Sequence, residues 1–159
     1  QNEKEQKDAN NTGEQVKDNP AIDLRKQLIT SSEEMSTILS DKDIIRNHSV
    51  YFDVDQATLI EDEQKKLDAF VKSFPKNEKL TIILIGNTDQ DGSLDYNLIL
   101  SKKRAETVQR KLVEYYGFDA ANITVYYFGE TKSIHKGSYT EEMKRRDRKV
   151  EIKLVRMPK

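Results

Sequence analysis

The chain has 159 residues, of which 35% are hydrophobic and 35% are charged, and its 27 Lys and Arg side chains nearly balance 28 Asp and Glu. The net charge of -1 excludes a global basic field that would draw the protein onto nucleic acid or anionic lipid. The absence of Cys excludes disulfides, thiolate nucleophiles and Cys-ligated metal centres, and no apolar run approaches the roughly 18 residues of a membrane-spanning helix.

The N-terminal part of the chain is predicted to lie outside the main domain. Ala9 and Val16 are the only aliphatic side chains before Pro20, so residues 1–20 bury too little surface to offset the entropy of ordering. We predict a disordered tether there, although a mobile terminus without a role fits the same composition. Residues 21–47 are predicted as an N-terminal helical or linker segment. A helical stripe of Leu24, Leu28, Met35, Ile38 and Leu39 is interrupted at residues 30–32, where Ser32 could restart a helix as its N-cap.

Residues 48–159 are predicted to form the main domain, with four strands and two helices. The first strand covers residues 49–52, and an amphipathic helix covers 61–74. The apolar run at 80–85 is typical of a strand buried on both faces, and 95–116 is the strongest helix, with Gly117 as its C-cap. Strands at 123–128 and 149–155 follow, the last with one wet face. This order predicts an α/β fold (an α+β sandwich), in which helices pack on a β-α-β-α-β-β mixed sheet with parallel pairs from the two crossovers and an antiparallel final strand.

The loop between the most buried strand and the longest helix is the best candidate for a binding site, because ligands bind where strands end and helices begin. Asp89 lies on its strand side, and helical spacing places Asn97, Ser101 and Arg104 on one polar face. These four residues can line one pocket mouth. A carboxylate and a guanidinium across a small cleft suit a zwitterion such as an amino-acid head group. A structural salt bridge, or a turn capped by Asp89, explains the same pair.

The same loop partly matches a calcium-binding EF-hand loop. The matching positions are Asn87, Asp89, Asp91, Gly92, Ser93 and Asp95. However, Leu98 stands where bidentate coordination needs Glu, and a strand rather than a helix precedes the loop. We therefore predict no metal site and interpret the loop as a turn, with calcium binding as an alternative.

Several motifs in order along the chain resemble the OmpA-like peptidoglycan-binding domain of outer-membrane anchoring proteins, Pal-type lipoproteins and flagellar stator proteins. The resemblance covers roughly residues 48 to 155. It is carried by Val50-Tyr51-Phe52-Asp53, by Gly86-Asn87-Thr88-Asp89 with Gly92-Ser93 and Tyr96-Asn97, by Leu100-Ser101 with Arg104-Ala105, by Gly129-Glu130, and by Asp147-Arg148-Lys149-Val150-Glu151. Asn87 stands where the family usually has His, Asp147 and Lys149 replace its Asn and Arg, and its Pro after Gly-Glu is missing.

The resemblance implies a ligand and a set of binding residues. In the family, the loop Asp and the helix Arg hold the amino and carboxylate groups of the diaminopimelate residue in the peptidoglycan stem peptide. Here these residues are Asp89 and Arg104. The resemblance further implies hydrogen bonds from Asp53, Thr88 and Asn97, with Arg148 beside the site.

The remaining patterns favour a binding module over an enzyme. His48 and His135 have no partners at catalytic or metal-binding spacing, and no nucleophile elbow, P-loop or zinc-protease helix is present. We predict no catalytic residue, no cofactor and no nucleic-acid partner, and we interpret the basic run 144–149 as a solvated loop.

The resulting hypothesis is a non-catalytic module that grips the peptidoglycan stem peptide. It implies a location in the periplasm, attached to the outer membrane or envelope, with membrane association only through a part outside this chain. Two alternatives remain: a calcium-organised protein-interaction domain, and an OmpA-like structural component of a motor or secretion machine that binds no ligand.

Overall fold

The computed structural model describes residues 20–40, 44–76, 78–133 and 137–156. None of the helices in these ranges combines the length and the apolarity needed to cross a membrane. The regular elements, in chain order, are α1 (Pro20–Ser40), β1 (Ile44–Tyr51), α2 (Glu61–Lys72), β2 (Leu80–Gly86), α3 (Leu94–Arg110), a π-helical turn (Lys111–Tyr115), a 3-10 turn (Ala120–Asn122), β3 (Ile123–Tyr127), α4 (Glu141–Asp147) and β4 (Lys149–Arg156).

The four strands form one mixed sheet in the order β1-β4-β2-β3. The final strand pairs antiparallel with both β1 and β2, as predicted, and β2 pairs parallel with β3. The prediction of two parallel pairs is wrong, because β4 inserts between β1 and β2. These two strands still run in the same direction, since each is antiparallel to β4. The α+β sandwich and the mixed sheet are confirmed.

Helices cover both faces of the sheet. Alternation along β2 directs Ile82 and Leu84 to one face and Ile83 and Ile85 to the other, and all four are buried. On the first face lie Leu67 of α2 and Val108 of α3. On the second face, α1 packs against the strands through Leu28, Met35, Ile38 and Leu39. Because β2 is buried on both sides, its continuous apolar run is the consequence of its central position.

The structure corrects two predictions in the N-terminal part. α1 is a single helix, and Ser32 lies within it, where its hydroxyl accepts a hydrogen bond from Lys132 Nζ at 2.9 Å. Leu28 and Met35 are two helical turns apart on one face, and the half-buried Ser31 and Ser32 lie between them on that same face, so small polar residues continue the stripe without ending the helix. In addition, β1 begins at Ile44, five residues before the predicted strand.

The early part of β1 was missed because it is an edge strand whose first residues are largely exposed, which leaves no alternating pattern. Residues 1–19 of the predicted tether lie outside the described ranges. The division of the chain at residues 20 and 47 therefore stays a prediction.

The helix α4 replaces the solvated loop predicted around the basic run. Thr140 caps it, because its Oγ1 accepts a hydrogen bond from the Met143 amide at 3.2 Å. Acidic residues occupy its first turn and basic residues its last, which complements the helix dipole. The helix has no apolar stripe, so hydrophobic periodicity could not reveal it.

Candidate functional site

The candidate loop is held where β2, α3 and the chain after β3 meet. A Cβ on Gly86 would collide with the carbonyl oxygen of Ser101, so the glycine permits α3 to lie directly on the end of β2. Ser101 is fully buried, and its Oγ accepts a hydrogen bond from the Gly129 amide at 2.9 Å. Gly129 in turn accepts a hydrogen bond from the Thr88 amide through its carbonyl oxygen. The loop, the helix and the Gly-Glu motif are thus joined by direct contacts.

Two of the predicted binding residues have side chains that bond to this loop. Asn97 Nδ2 donates to the carbonyl oxygens of Asp89 and Asp91 and to Glu130 Oε1. Thr88 Oγ1 donates to the Asp89 carbonyl oxygen at 2.9 Å. Asn97 and Thr88 are buried, as is Ser101. Asn97 and Ser101 thus use this face of α3 to fix the loop, and their place at a pocket mouth stays a prediction.

The carboxylate of Asp89 pairs with Arg148, not with Arg104. Arg148 Nη1 lies 3.1 Å from Asp89 Oδ2, and both side chains are less than one tenth exposed. Asp89 Oδ1 accepts a second hydrogen bond from the Asp91 amide. Arg148 also donates through Nε to the Phe52 carbonyl oxygen and through Nη2 to Glu141 Oε1. Its guanidinium therefore joins the end of β1, the candidate loop and α4.

Arg104 is fully buried and bonds to the backbone. Its Nε donates to the Gln56 carbonyl oxygen at 2.8 Å, Nη1 to that of Asn87 at 3.0 Å, and Nη2 to that of Asp53 at 3.0 Å. Within the described ranges, no carboxylate forms an ion pair with it. Its guanidinium carbon lies 5.4 Å from the centre of the Phe52 ring. The groups in direct contact with the buried charge of Arg104 are therefore backbone carbonyl dipoles and an aromatic ring.

The two buried arginines differ electrostatically. Burial lowers the pKa of Arg104 to about 10, although the nearby carboxylate of Asp89 opposes this shift. Burial also acts to lower the pKa of Arg148, but hydrogen bonds to Asp89 and Glu141 outweigh it, so its pKa is raised. The difference arises from the carboxylates that contact one guanidinium and not the other.

Asp53 and Arg148 line a cleft of about 350 Å³ beside the candidate loop. The Asp53 side chain is exposed, and within the described part of the chain it makes no hydrogen bond or ion pair. The cleft lies between the end of β1, the start of α2 and the helix α4. Its lining residues are Tyr51, Phe52, Asp53, Ile60, Glu63, Glu142, Arg145, Arg146 and Arg148.

A polar network that sequence reasoning missed holds α4 and the preceding segment against the candidate loop. Asp147 Oδ2 accepts hydrogen bonds from Tyr139 Oη at 2.6 Å and from Ser133 Oγ at 2.7 Å. Ser133 Oγ and Tyr139 Oη also accept from Gln90, through its side chain and its amide respectively. Burial and the hydrogen bond to Asp147 raise the pKa of Tyr139. The acidic first turn and the basic last turn of α4 were the sequence signal available for this helix.

Ion pairs within the structure occupy the carboxylates of the loop, and this weakens the calcium alternative. Asp89 pairs with Arg148, and Asp91 Oδ2 lies 3.0 Å from Lys144 Nζ. Leu98, at the position where an EF-hand needs Glu, is fully buried. No group of three or more His, Asp or Glu in the described ranges is placed to hold a metal ion. The ring of His48 stacks on Phe70, in the contact between β1 and α2. The second histidine, His135, lies outside the described ranges.

Comparisons with known proteins match the part of the chain that contains the candidate loop and α3. The family model described as "OmpA family" matches residues 51–147. The chain is 32% identical to a peptidoglycan-associated lipoprotein of Pseudomonas putida and 34% identical to outer membrane protein A of Bordetella avium. The alignments cover 65% and 70% of this chain and 60% and 57% of those relatives. The chain thus spans less than two thirds of the length of these two proteins.

Solved structures with a similar fold include the peptidoglycan-associated lipoprotein from Burkholderia pseudomallei. That match has a TM-score of 0.56 and 31% identity and covers 67% of this chain and 88% of the other. The periplasmic domain of Helicobacter pylori MotB matches with a TM-score of 0.55, covering 73% of this chain and 80% of the other. At 18% identity, the second match concerns the fold alone.

Proposed function

The chain belongs to the OmpA family, and on that premise we propose that it is a non-catalytic module that binds peptidoglycan through the diaminopimelate residue of the stem peptide. Its role is then to anchor an envelope protein to the cell wall from the periplasmic side. Two kinds of similarity support this proposal. Relatives that align with more than half of the chain are named peptidoglycan-associated lipoproteins, and MotB periplasmic domains share the fold.

The single observation that carries the proposal is the buried guanidinium of Arg104 without a carboxylate partner in the described ranges. Three of its five N–H groups donate to backbone carbonyl oxygens, which leaves two for a ligand. A ligand carboxylate at this position would supply the missing counter-charge and raise the lowered pKa of Arg104. A zwitterionic head group is therefore a better match than a neutral one.

The ammonium of the ligand binds to Asp89 in this proposal. A carboxylate has about four acceptor sites, and Asp89 uses two of them, for Arg148 and for the Asp91 amide. An ammonium group can therefore join the site without displacing Arg148. The carboxylate of Asp53, which is exposed and without a side-chain partner in the described ranges, provides a further acceptor.

Access to Arg104 requires a local movement. Arg104 has no exposed surface, and two of its three acceptors, Asp53 and Gln56, lie in the loop after β1. We expect this loop to shift when the ligand carboxylate binds. Besides the bonds from Arg104, two hydrogen bonds join this loop to α3: Thr107 Oγ1 donates to the Ala57 carbonyl oxygen at 2.7 Å, and Tyr96 Oη donates to Asp55 Oδ1 at 3.2 Å. The second is exposed and weak enough to break on binding, while the first can hold the far end of the loop in place.

Calorimetric titration with meso-diaminopimelate, followed by sedimentation with purified sacculi, tests the proposal. We expect saturable heat for the unmodified chain. Asp89→Asn should weaken binding by about 2–5 kcal/mol, because it removes one partner of a desolvated charge pair, and Arg104→Lys should weaken it less, because lysine keeps the charge but loses the bidentate guanidinium fork. We choose these changes and not alanine, because both side chains also hold the fold together.

Asp53→Asn provides a variant whose effect on binding is separate from its effect on folding. Its carboxylate makes no contact in the described ranges, so we expect unchanged stability and binding about tenfold weaker. Asp62→Asn is the matched control, because Asp62 is an exposed carboxylate on α2 outside the cleft. Equal binding by all of these variants would show that the ligand is not held by charge.

The burial of Arg104 favours one rival function. A guanidinium that is fully buried and bonded to three carbonyl oxygens is also what a purely structural residue would be. In that case the domain is a structural component of an envelope assembly that binds no stem peptide. Titration of the unmodified chain without saturable heat would support this rival and contradict the proposal.

A further inference from the structure

We propose that the cleft between β1, α2 and α4 is a second subsite, which binds the free carboxylate at the C-terminal end of the ligand peptide through Arg145. This inference rests on the proposed function, because it concerns the part of the peptide that follows diaminopimelate. It adds a residue that the motif comparison does not include and a ligand group that the first site leaves unbound.

The charges of α4 leave Arg145 as the cation available to a ligand. Lys144 pairs with Asp91 at 3.0 Å, Arg146 pairs with Glu142 at 2.8 Å, and Arg148 pairs with two carboxylates. Arg145 lines the same cleft and makes no ion pair or side-chain hydrogen bond in the described part of the chain. Its guanidinium therefore retains its bidentate donors for a carboxylate.

The acidic residues of the cleft do not compete for Arg145. Glu63 is buried, and it accepts a hydrogen bond from the Tyr51 amide at 2.7 Å and contacts Lys66 Nζ at 3.2 Å. Glu142 is held by Arg146. Asp53 remains, and it belongs to the first site in the proposed function. The cleft thus offers one acceptor at the diaminopimelate end and one guanidinium on α4.

The walls of the cleft suit a small apolar residue next to that carboxylate. Tyr51 and Ile60 are both 38% exposed, although large apolar side chains are usually buried. A volume of about 350 Å³ accommodates one or two small residues, which is the size of a dipeptide end. Asp53 and Arg148 line the cleft and belong to the first site, so one peptide can occupy both.

The experiment compares two synthetic probes, meso-diaminopimelyl-D-alanine as the free acid and as the C-terminal amide, by calorimetric titration. We expect the unmodified chain to bind the acid about fivefold more tightly than the amide, as for a partly exposed ion pair. Arg145→Gln should abolish this difference while leaving the affinity for the amide unchanged. Arg110→Gln is the matched control, with the same loss of charge at an exposed arginine outside the cleft, and should keep the difference.

The outcomes separate this inference from the proposed function. If the unmodified chain binds acid and amide equally while Asp89→Asn abolishes binding of both, the second subsite is wrong and the first stands. If Arg145→Gln and Arg110→Gln reduce the preference for the acid equally, the effect is general electrostatics and the subsite is again wrong. If neither probe binds the unmodified chain, both proposals fail. Circular dichroism and thermal denaturation of each variant confirm that the domain remains folded.

Discussion

Two arginines of the same domain are buried in different ways, and the proposed function rests on this difference. Arg148 bonds to two carboxylates and one carbonyl oxygen, so its charge is compensated within the chain. Arg104 bonds to carbonyl oxygens alone, and its pKa is lowered to about 10. Burial of a charge is tolerated when a counter-charge is nearby, and a ligand can supply the one that Arg104 lacks.

The pairing of Asp89 with Arg148 gives a prediction about stability. Asp89→Asn removes a buried partner and leaves a buried cation with one exposed carboxylate. We expect the free energy of unfolding to fall by about 3 kcal/mol, as for other buried pairs that lose one member. Urea denaturation followed by circular dichroism measures this change.

Glu141→Gln is the control for this prediction, because Glu141 contacts the same guanidinium with a side chain that is 57% exposed. Its loss should cost less than about 1 kcal/mol. Equal losses from the two variants would mean that burial does not determine the strength of these pairs.

Part of the site was predictable residue by residue, and part was not. The pattern of the sequence correctly placed Asp89 in the loop after β2 and Arg104 within α3, because apolar periodicity reports where strands and helices lie. It could not show that Arg148 pairs with Asp89, since their contact joins segments 59 residues apart. The binding roles of Asp53, Asp89, Thr88, Asn97, Arg104 and Arg148 stay predictions.

At the scale of elements, the strands and helices with strong apolar patterns were predicted well. The start of β2, the course of α3 and the alternation of β4 follow from burial, which periodicity reports directly. α1 was divided in error because residues 30–32 are weak helix formers, yet packing of its stripe on the second face of the sheet keeps it continuous. α4 is held by ion pairs, which leave no periodic signal.

The contact between β1 and α2 gives a prediction about pH. His48 stacks on Phe70 with 4.9 Å between ring centres, and its Nε2 is buried without a hydrogen-bond partner. Burial lowers its pKa below the usual 6.5, Glu63 opposes this shift and Lys66 reinforces it. As pH falls, the unfolded chain therefore takes up a proton before the folded chain does. The stability from neutral His48 is complete above about pH 6.5 and declines as pH falls towards the folded pKa.

His48→Phe tests this prediction, because phenylalanine keeps the stack with Phe70 and removes the titrating group. Between about pH 7 and pH 5, the unmodified chain should lose stability relative to this variant, with an uptake of less than one proton on unfolding. Thermal denaturation across this range measures the difference. His135 is present in both proteins, so its titration cancels. Parallel profiles for the two proteins would contradict the lowered pKa.

At the scale of the whole molecule, the near-zero net charge bears on how binding to a cell wall would depend on salt. A basic domain would bind an anionic polymer by releasing counterions, and its affinity would fall by orders of magnitude with added salt. This chain has a net charge of -1, and in the described ranges most cations of α4 are already paired. In the proposed function, recognition depends on buried charges that salt screens poorly, and a zwitterionic ligand carries no net charge to be steered.

We therefore expect the affinity for meso-diaminopimelate to change by less than about threefold between roughly 50 and 500 mM NaCl. Calorimetric titration at both salt concentrations measures it, and sedimentation with sacculi should follow the same course if the stem peptide is the principal contact. Arg110→Gln, which removes an exposed cation outside the cleft, should leave both results unchanged. A steep loss of binding to sacculi at high salt, with unchanged affinity for the free amino acid, would instead locate the main contact on the anionic polymer.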